Sequence, residues 1–307
     1  MATPIINGFF EATVRSATPL AFAAVGELIA ERSGVINIGL EGVIACGALA
    51  AFVAAQAAGP EAGFLAGGFA GAAVAFVFAM FVIVLRAQQI IAGAAVSMLG
   101  LGLSASIHRS MLATSSYTSH LATLPTLNIP LLSDLPIVGS ALFAQPISTY
   151  ALYFLIPAVA WVLYGTVGGI ALRAVGEYPA AAIAAGHSPA RIQFLALLIC
   201  GFLAGLGGAT LVVAQAGTFS DGMSAGRGFI AVAIVTLGRW TPQGVMAGAL
   251  LFGAVSALQY LTQSMAWPIP YTLVLASPYV LTLGAMAASS GSRTAPAALG
   301  QPLETVL

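Results

Sequence analysis

Residues 62–85 read AGFLAGGFAGAAVAFVFAMFVIVL, 24 positions without one charged side chain, closed by Glu61 at one end and Arg86 at the other. A helix rises about 1.5 Å per residue and bilayer hydrocarbon is about 30 Å thick, so a run of this length crosses once. Working outward, charge-free runs recur at 87–108, 135–172, 192–220 and 240–292. Hydrophobic residues make up 60% of the 307 positions against 6% charged, which does not describe a water-soluble surface. The fold class expected is all-α, a polytopic membrane protein. Spans are placed near 9–30, 36–58, 62–85, 89–108, 149–171, 192–215, 227–239, 242–264 and 270–289, about nine in all with eight to ten as the range. The segment 227–239 is short for a span and reads equally as a half-helix, tolerated where protein or water surrounds it.

Charge then excludes whole classes of function. Nine acidic residues balance nine basic ones, so no net field attracts nucleic acid. Every basic residue is arginine and lysine is absent, which removes a P-loop lysine and a lysine base or Schiff base from this chain. Any ATP hydrolysis therefore belongs to another polypeptide. Cys46 and Cys200 sit in apolar stretches and read as core packing, and His108, His120 and His187 match no metal-ligand spacing. No catalytic motif and no metal site is expected, since neither an HExxH helix nor a GxSxG elbow is present. The first thirty residues lack a basic n-region and carry Glu11, so the first span is expected to be retained.

Arginine placement sets an expected orientation, because basic residues stay on the cytoplasmic side. With the N-terminus outside and the C-terminus inside, Arg32, Arg86, Arg173, Arg191, Arg239 and Arg293 fall inside, against Arg15, Arg109 and Arg227 outside. One transmembrane domain covers 1–290, with a cytoplasmic tail at 291–307. Within it, 109–148 is an external loop whose Pro125, Pro130, Pro136 and Pro146 disfavour regular helix. The stretch 173–191, RAVGEYPAAAIAAGHSPAR, reads as a cytoplasmic helical hairpin: alanines favour a short helix, Pro179 suits its first turn, and Gly186 ends it. Glycines at 63, 67 and 71, and the pairs 201/205 and 244/248, line helix faces where backbones can approach.

Polar residues within the spans point to a path or to packing. Asn37 and Glu41, four apart beside Gly39 and Gly42, share a helical face if the helix is continuous there, and the glycines permit a broken turn that offers backbone groups to cargo. The other reading pairs Glu41 with Arg32 at the membrane surface. Glu27, Glu31 and Arg32 read as a helix-end ion cluster. Gln89 and Ser97 lie in line on the fourth span and either face a path or glue helices together. Phe219, Phe229 and Trp240 are the aromatic candidates for lining such a path.

Four stretches carry a family resemblance: GELIAERSGVINIGLEG at 26–42, IPLLSDLPIVGSALFAQ at 129–145, RAVGEYPAAAIAAG at 173–186 with LAGLGGA at 203–209, and GRGFIAVAIVTLGRWTPQG at 226–244. Together they make the chain resemble the permease subunits of ATP-binding-cassette (ABC) importers, in the branch for simple sugars, nucleosides and branched-chain amino acids. The nucleoside permeases are the most similar members. The resemblance implies a vitamin-importer-like fold in the bacterial cytoplasmic (inner) membrane. Its implied partners are a second permease, identical or paralogous, a cytoplasmic ABC ATPase, an external binding protein or lipoprotein, and lipid, with no nucleic acid. No cofactor is then held by this chain, ATP and magnesium being bound by the ATPase. The resemblance also makes 177–191 the coupling element, with Glu177, Tyr178, Pro179, Gly186, His187 and Arg191 meeting the ATPase; Tyr178 stands where the family usually has asparagine. Asn37, Glu41, Gln89, Ser97, Phe219, Phe229 and Trp240 are the translocation-path candidates. A pentose or other simple sugar is the alternative cargo, and an ion-coupled secondary carrier the alternative class.

Overall fold

The computed structural model describes residues 2–113, 120–130, 132–133, 135, 139–264, 271–289 and 295–301. Arg293 and the remainder of the tail and of the 109–148 loop lie outside the described residues. The described residues are mostly helical. Among the described residues twelve helices run as α1 Ala2–Arg32, α2 Leu40–Ala58, α3 Pro60–Ala79, α4 Gln89–Ala113, α5 Gly139–Phe143, α6 Ile147–Gly165, α7 Val167–Glu177, α8 Pro179–Ala184, α9 Pro189–Thr210, α10 Arg227–Leu237, α11 Pro242–Ser264 and α12 Tyr271–Ser289. The helices α3 and α9 each continue into a π-type turn, over Met80–Val84 and Leu211–Ala216. One small antiparallel ribbon pairs β1 (Thr126–Asn128) with β2 (Ala144–Pro146).

Six of the described helices are long and apolar enough to cross a membrane: Leu40–Ala58, Pro60–Val84, Gln89–Met111, Ile147–Gly165, Pro189–Ala216 and Pro242–Thr262. Two of the expected segments have features that set them apart from these six. Helix α1 carries Glu11, Arg15, Glu27, Glu31 and Arg32 along its 31 residues, and α10 has only 11. The expected span 149–171 is two elements, because the backbone turns extended at Thr166 and its hydroxyl caps α7 by accepting from Gly169 N at 3.1 Å. The 109–148 segment is not uniformly extended: α4 runs on to Ala113, and α5 and the ribbon lie within it.

Helix α1 is the central post. From Ala17 to Ala30 it is buried nearly all round, as expected for a helix enclosed by others, with α9, α10, α11 and α6 packed against it. The largest fully buried side chains, Phe22, Phe78 and Phe252, come from α1, α3 and α11. Glycine sets how close α3 comes to α9: a Cβ on Gly71 would stand 2.2 Å from the Gly201 carbonyl oxygen, and one on Gly205 2.2 Å from that of Gly67. No larger residue fits there, so the ladder 63/67/71 is a contact face.

Candidate functional site

The hairpin at 167–191 is built from its own sequence. Pro179 occupies the first turn of α8, where its missing N–H costs nothing. Gly186 turns left-handed at φ +84°, and two bonds close the helix behind it, Gly186 N to Ile183 O at 2.8 Å and His187 N to Ala182 O at 2.9 Å. That pair is a Schellman closure, whose αL residue is normally glycine. Tyr178 takes the cap position of α8 with no side-chain cap bond. Tyr178 is 72% exposed, and Gly186, His187 and Arg191 are exposed with it, while Pro179 is buried. Glu177 ends α7 instead of starting α8; its carboxylate accepts from Ala297 N at 3.2 Å and stands 3.9 Å from the Arg32 guanidinium.

Beside the hairpin lies the link between α1 and α2. Helix α2 starts only at Leu40, so Asn37 and Glu41 do not share a helical face. Asn37 is fully buried in the link, where Oδ1 accepts from Gly39 N at 2.9 Å, a local turn that asparagine forms readily. Glu41, 5% exposed, does not meet Arg32. Its two carboxylate oxygens accept from Gly226 N and Gly228 N, each at 2.8 Å. A carboxylate thereby covers the start of α10, the end of a helix that attracts negative charge. Gly228 permits this approach, since a Cβ there would lie 2.4 Å from Glu41 N.

The far end of α10 is held from α1. Arg239 and Trp240 both take positive φ, 51° and 53°, a conformation uncommon outside glycine. Trp240 is anchored by its indole N–H on Glu31 and by its carbonyl, which accepts from Arg32 Nε at 2.8 Å. Glu27, Glu31 and Arg32 are therefore not an ion cluster at a surface. Glu27 is fully buried, accepting from Asn37 N at 2.8 Å and from the Cys200 thiol at 3.4 Å. Trp240 is itself buried.

The remaining path candidates separate. Gln89 Oε1 accepts from Ile36 N at 2.9 Å and Ser97 Oγ donates to Ile38 O at 2.9 Å, so α4 ties down the same 33–39 link from its side. Gln89 also lines a cavity of about 160 Å³ with Arg86, Gln88, Gln193, Gly300 and Gln301. Phe219 is buried, its ring 4.8 Å from His108 and 6.3 Å from Phe52. Phe229 alone of the seven faces outward, at 54% exposure. At the end of the molecule opposite the hairpin, Asp221 joins the loop before α10 to α4, 2.9 Å from His108 Nδ1 and 3.1 Å from Arg109 Nε. The His108 contact, and after it Arg109, holds the Asp221 carboxyl below the usual aspartate range.

Glu27, Glu31, Gln193 and Cys200 were not singled out from sequence as one group. The one available signal was the spacing of Glu27 and Glu31, four apart and so on one helical face.

Residues 9–286 match the family described as branched-chain amino acid transport system / permease component. The chain is 37% identical over 284 residues to a protein of Haloferax volcanii provisionally named as a glucose ABC transporter permease, covering 90% of this chain and 85% of that one. It is 32% identical over 308 residues to the guanosine ABC transporter permease protein of Bacillus subtilis, covering 97% of each chain. With the nucleoside ABC transporter permease protein of Lactococcus lactis subsp. cremoris the identity is 32% over 293 residues, 92% of each. No solved structure matches.

Proposed function

We propose a function from one premise: this chain belongs to the permease-component family of the branched-chain amino acid transport system. It is a multi-pass membrane subunit of an ABC transporter and not an enzyme. We infer that it forms part of the import path for nucleosides. The observation that carries this is the end-to-end similarity to a guanosine permease, 97% of both chains. A sugar is the second reading, favoured by the 37% identity to the glucose-named relative.

The proposed architecture is vitamin-importer-like, with α1 and α12 as further spans and α10 as a half-helix, the N-terminus outside and the hairpin end cytoplasmic. Arg32, Arg173, Arg191 and Arg239 flank that end in sequence, in keeping with retention of basic residues on the cytoplasmic side. A separate ABC ATPase, holding ATP and magnesium, is proposed to dock on Tyr178, His187, Arg191 and the turn at Gly186. A second permease and an external binding protein complete the machine. Among the seven path candidates, Phe229 is proposed to face cargo, with Tyr279, whose hydroxyl stands over Gly226. Both are about half exposed, and an aromatic face with a phenol offers stacking and one hydrogen bond. Asn37, Glu41, Gln89, Ser97, Phe219 and Trp240 are proposed to shape the path from behind, the polar groups among them being spent on the 33–39 link, the start of α10, Glu31, Cys200 and Gln301.

The test is substrate-stimulated hydrolysis by the reconstituted complex, screened over nucleosides and sugars. Stimulation by guanosine or another nucleoside is expected. Stimulation by sugars alone would transfer the assignment to the second reading.

A further inference from the structure

The segment Pro296–Gln301 lies within the expected cytoplasmic tail at 291–307 and is packed into the hairpin end of the protein. Pro296 and Ala298 are buried, and Leu299 packs against the main apolar core. Its backbone crosses two neighbouring elements in turn. Ala298 N donates to Gly176 O at 2.9 Å, and two residues on, Gly300 N donates to Gly34 O at 3.0 Å. On either side of these bonds, Ala297 N reaches the Glu177 carboxylate at 3.2 Å and Gln301 O accepts from Gln89 Nε2 at 3.4 Å. The same Gln89 amide holds Ile36 N through its oxygen. Gly300 turns at φ +75°, which lets the segment bend around the link.

The C-terminal segment is thus bonded to the last turn of α7, to the α1–α2 link and to the first residue of α4. Gly176 also lies against the link directly, a Cβ there coming within 2.2 Å of Arg32 O. The link holds Asn37, which is tied to Glu27 on α1, and the next turn holds Glu41 at the start of α10. A load on α8 has a bonded route to α10 through these groups, a contiguous chain of hydrogen bonds and packed backbone.

We propose that residues 296–301 are a strap that makes the α7–α8 hairpin and the 33–39 link move as one piece, so that the C-terminal segment positions the hairpin for energy coupling. This rests on the reading of α8 as the ATPase contact. Three variants of the full complex, with its ATPase, second permease and binding protein, test it. Truncation after Ala295 removes the strap, truncation after Gln301 keeps it, and Ala298→Pro removes the donor to Gly176 while keeping a small apolar side chain.

Two measurements are made on each: amide hydrogen exchange over 33–39 and 174–178, and guanosine or glucose uptake per ATP hydrolysed. Truncation after Ala295 and Ala298→Pro should speed exchange in both segments and lower uptake per ATP by about fivefold or more, with the ATPase still bound. Truncation after Gln301 should match wild type in both. Unchanged exchange in Ala298→Pro, a preserved uptake-to-hydrolysis ratio, or the same loss after truncation at Gln301 would each overturn the strap. Faster exchange in a complex whose wild-type form shows no cargo-stimulated hydrolysis would instead remove the importer reading, and the coupling role with it.

Discussion

Glu41→Gln is the substitution whose cost the structure defines most closely. Both carboxylate oxygens accept from backbone N–H groups, Gly226 and Gly228, at 2.8 Å. A glutamine keeps the shape but turns an NH₂ toward one of those donors. One bond to a charged acceptor is lost, about 1.5–3 kcal/mol, together with about 0.5 kcal/mol of interaction with the start of α10. The Gly226 amide is half-buried, so water returns part of this, and the net local loss is set at about 2 kcal/mol. Every 1.4 kcal/mol is a factor of ten, so the loop preceding α10 should open about 30-fold more often. Ser224 reports on that loop well: it is 1% exposed and its hydroxyl has no partner among the described residues, so Ser224→Cys breaks none of the bonds described. The assay is the labelling rate of Ser224→Cys by a small thiol reagent in detergent, with and without Glu41→Gln, subtracting the parent's Cys46 and Cys200. Glu41→Ala, which leaves both donors bare, should exceed Glu41→Gln. A rate in Glu41→Gln within about threefold of the parent would show that the carboxylate does not hold α10 and would refute the energetics used here.

Three further outcomes follow from single contacts. Gly186→Val forces a β-branched residue to φ +84° at a site where a Cβ meets no neighbour, so only backbone strain of about 1–2 kcal/mol acts; uptake per ATP should fall well beyond what a melting-temperature drop of a few degrees explains, and wild-type coupling would detach the hairpin from the ATPase. Gly71→Ala places a methyl 2.2 Å from the Gly201 carbonyl oxygen, an overpacking cost of about 1–3 kcal/mol, and a melting temperature unchanged from wild type would contradict the α3–α9 contact. Asp221→Asn should cost no more than about 1 kcal/mol, since the group is partly exposed. Because the folded-state pKa of Asp221 is depressed, its contribution is present above the unfolded value and lost as pH falls through the folded one. Melting curves of wild type and Asp221→Asn should therefore converge as pH falls below about 4.

The helices were legible because apolar run length is a one-dimensional property. Residues 62–85, expected as one span, form α3 and its π-turn together, and the hairpin turn was readable from Pro179 and Gly186 because caps are local. The start of α2 was not, since Val35 to Gly39 is apolar and small enough to pass for helix, and only the Asn37 turn and the contacts from α4 show otherwise. The break at Thr166 was hidden for a related reason, as a threonine inside an apolar run signals a cap only once the extended backbone is seen. Partners of buried polar groups could not be read at all: Glu41 lies 185 and 187 positions from its two donors, and Glu31 209 from Trp240. Spacing in sequence suggested that Asn37 and Glu41 share a face and that Arg32 serves the nearby carboxylates, whereas the topology supplied backbone amides and an indole.

These long-range bonds share one geometry. The 11-residue helix α10 spans about 16 Å at a normal rise, half of a bilayer's hydrocarbon. Its two ends are fastened to opposite sides of the same link: the start by Glu41 at the head of α2, the finish by Glu31 and Arg32 at the foot of α1. The link between those anchors is only 33–39, pinned in turn by Gln89, Ser97 and Gln193. A helix held at both ends by one short segment does not lengthen or tilt freely; it follows that segment. Arg32 faces the hairpin as well as Trp240, placing Glu177 and α10 on a single side chain. Conservative changes at Arg32 are therefore expected to act differently from changes at Glu41, because a lysine cannot present the guanidinium's separate Nε and Nη1 donors to Trp240 and Glu177 together. Arg32→Lys should loosen α10 from the hairpin while Glu41 still covers its start, whereas Glu41→Gln should free the start while the hairpin attachment persists.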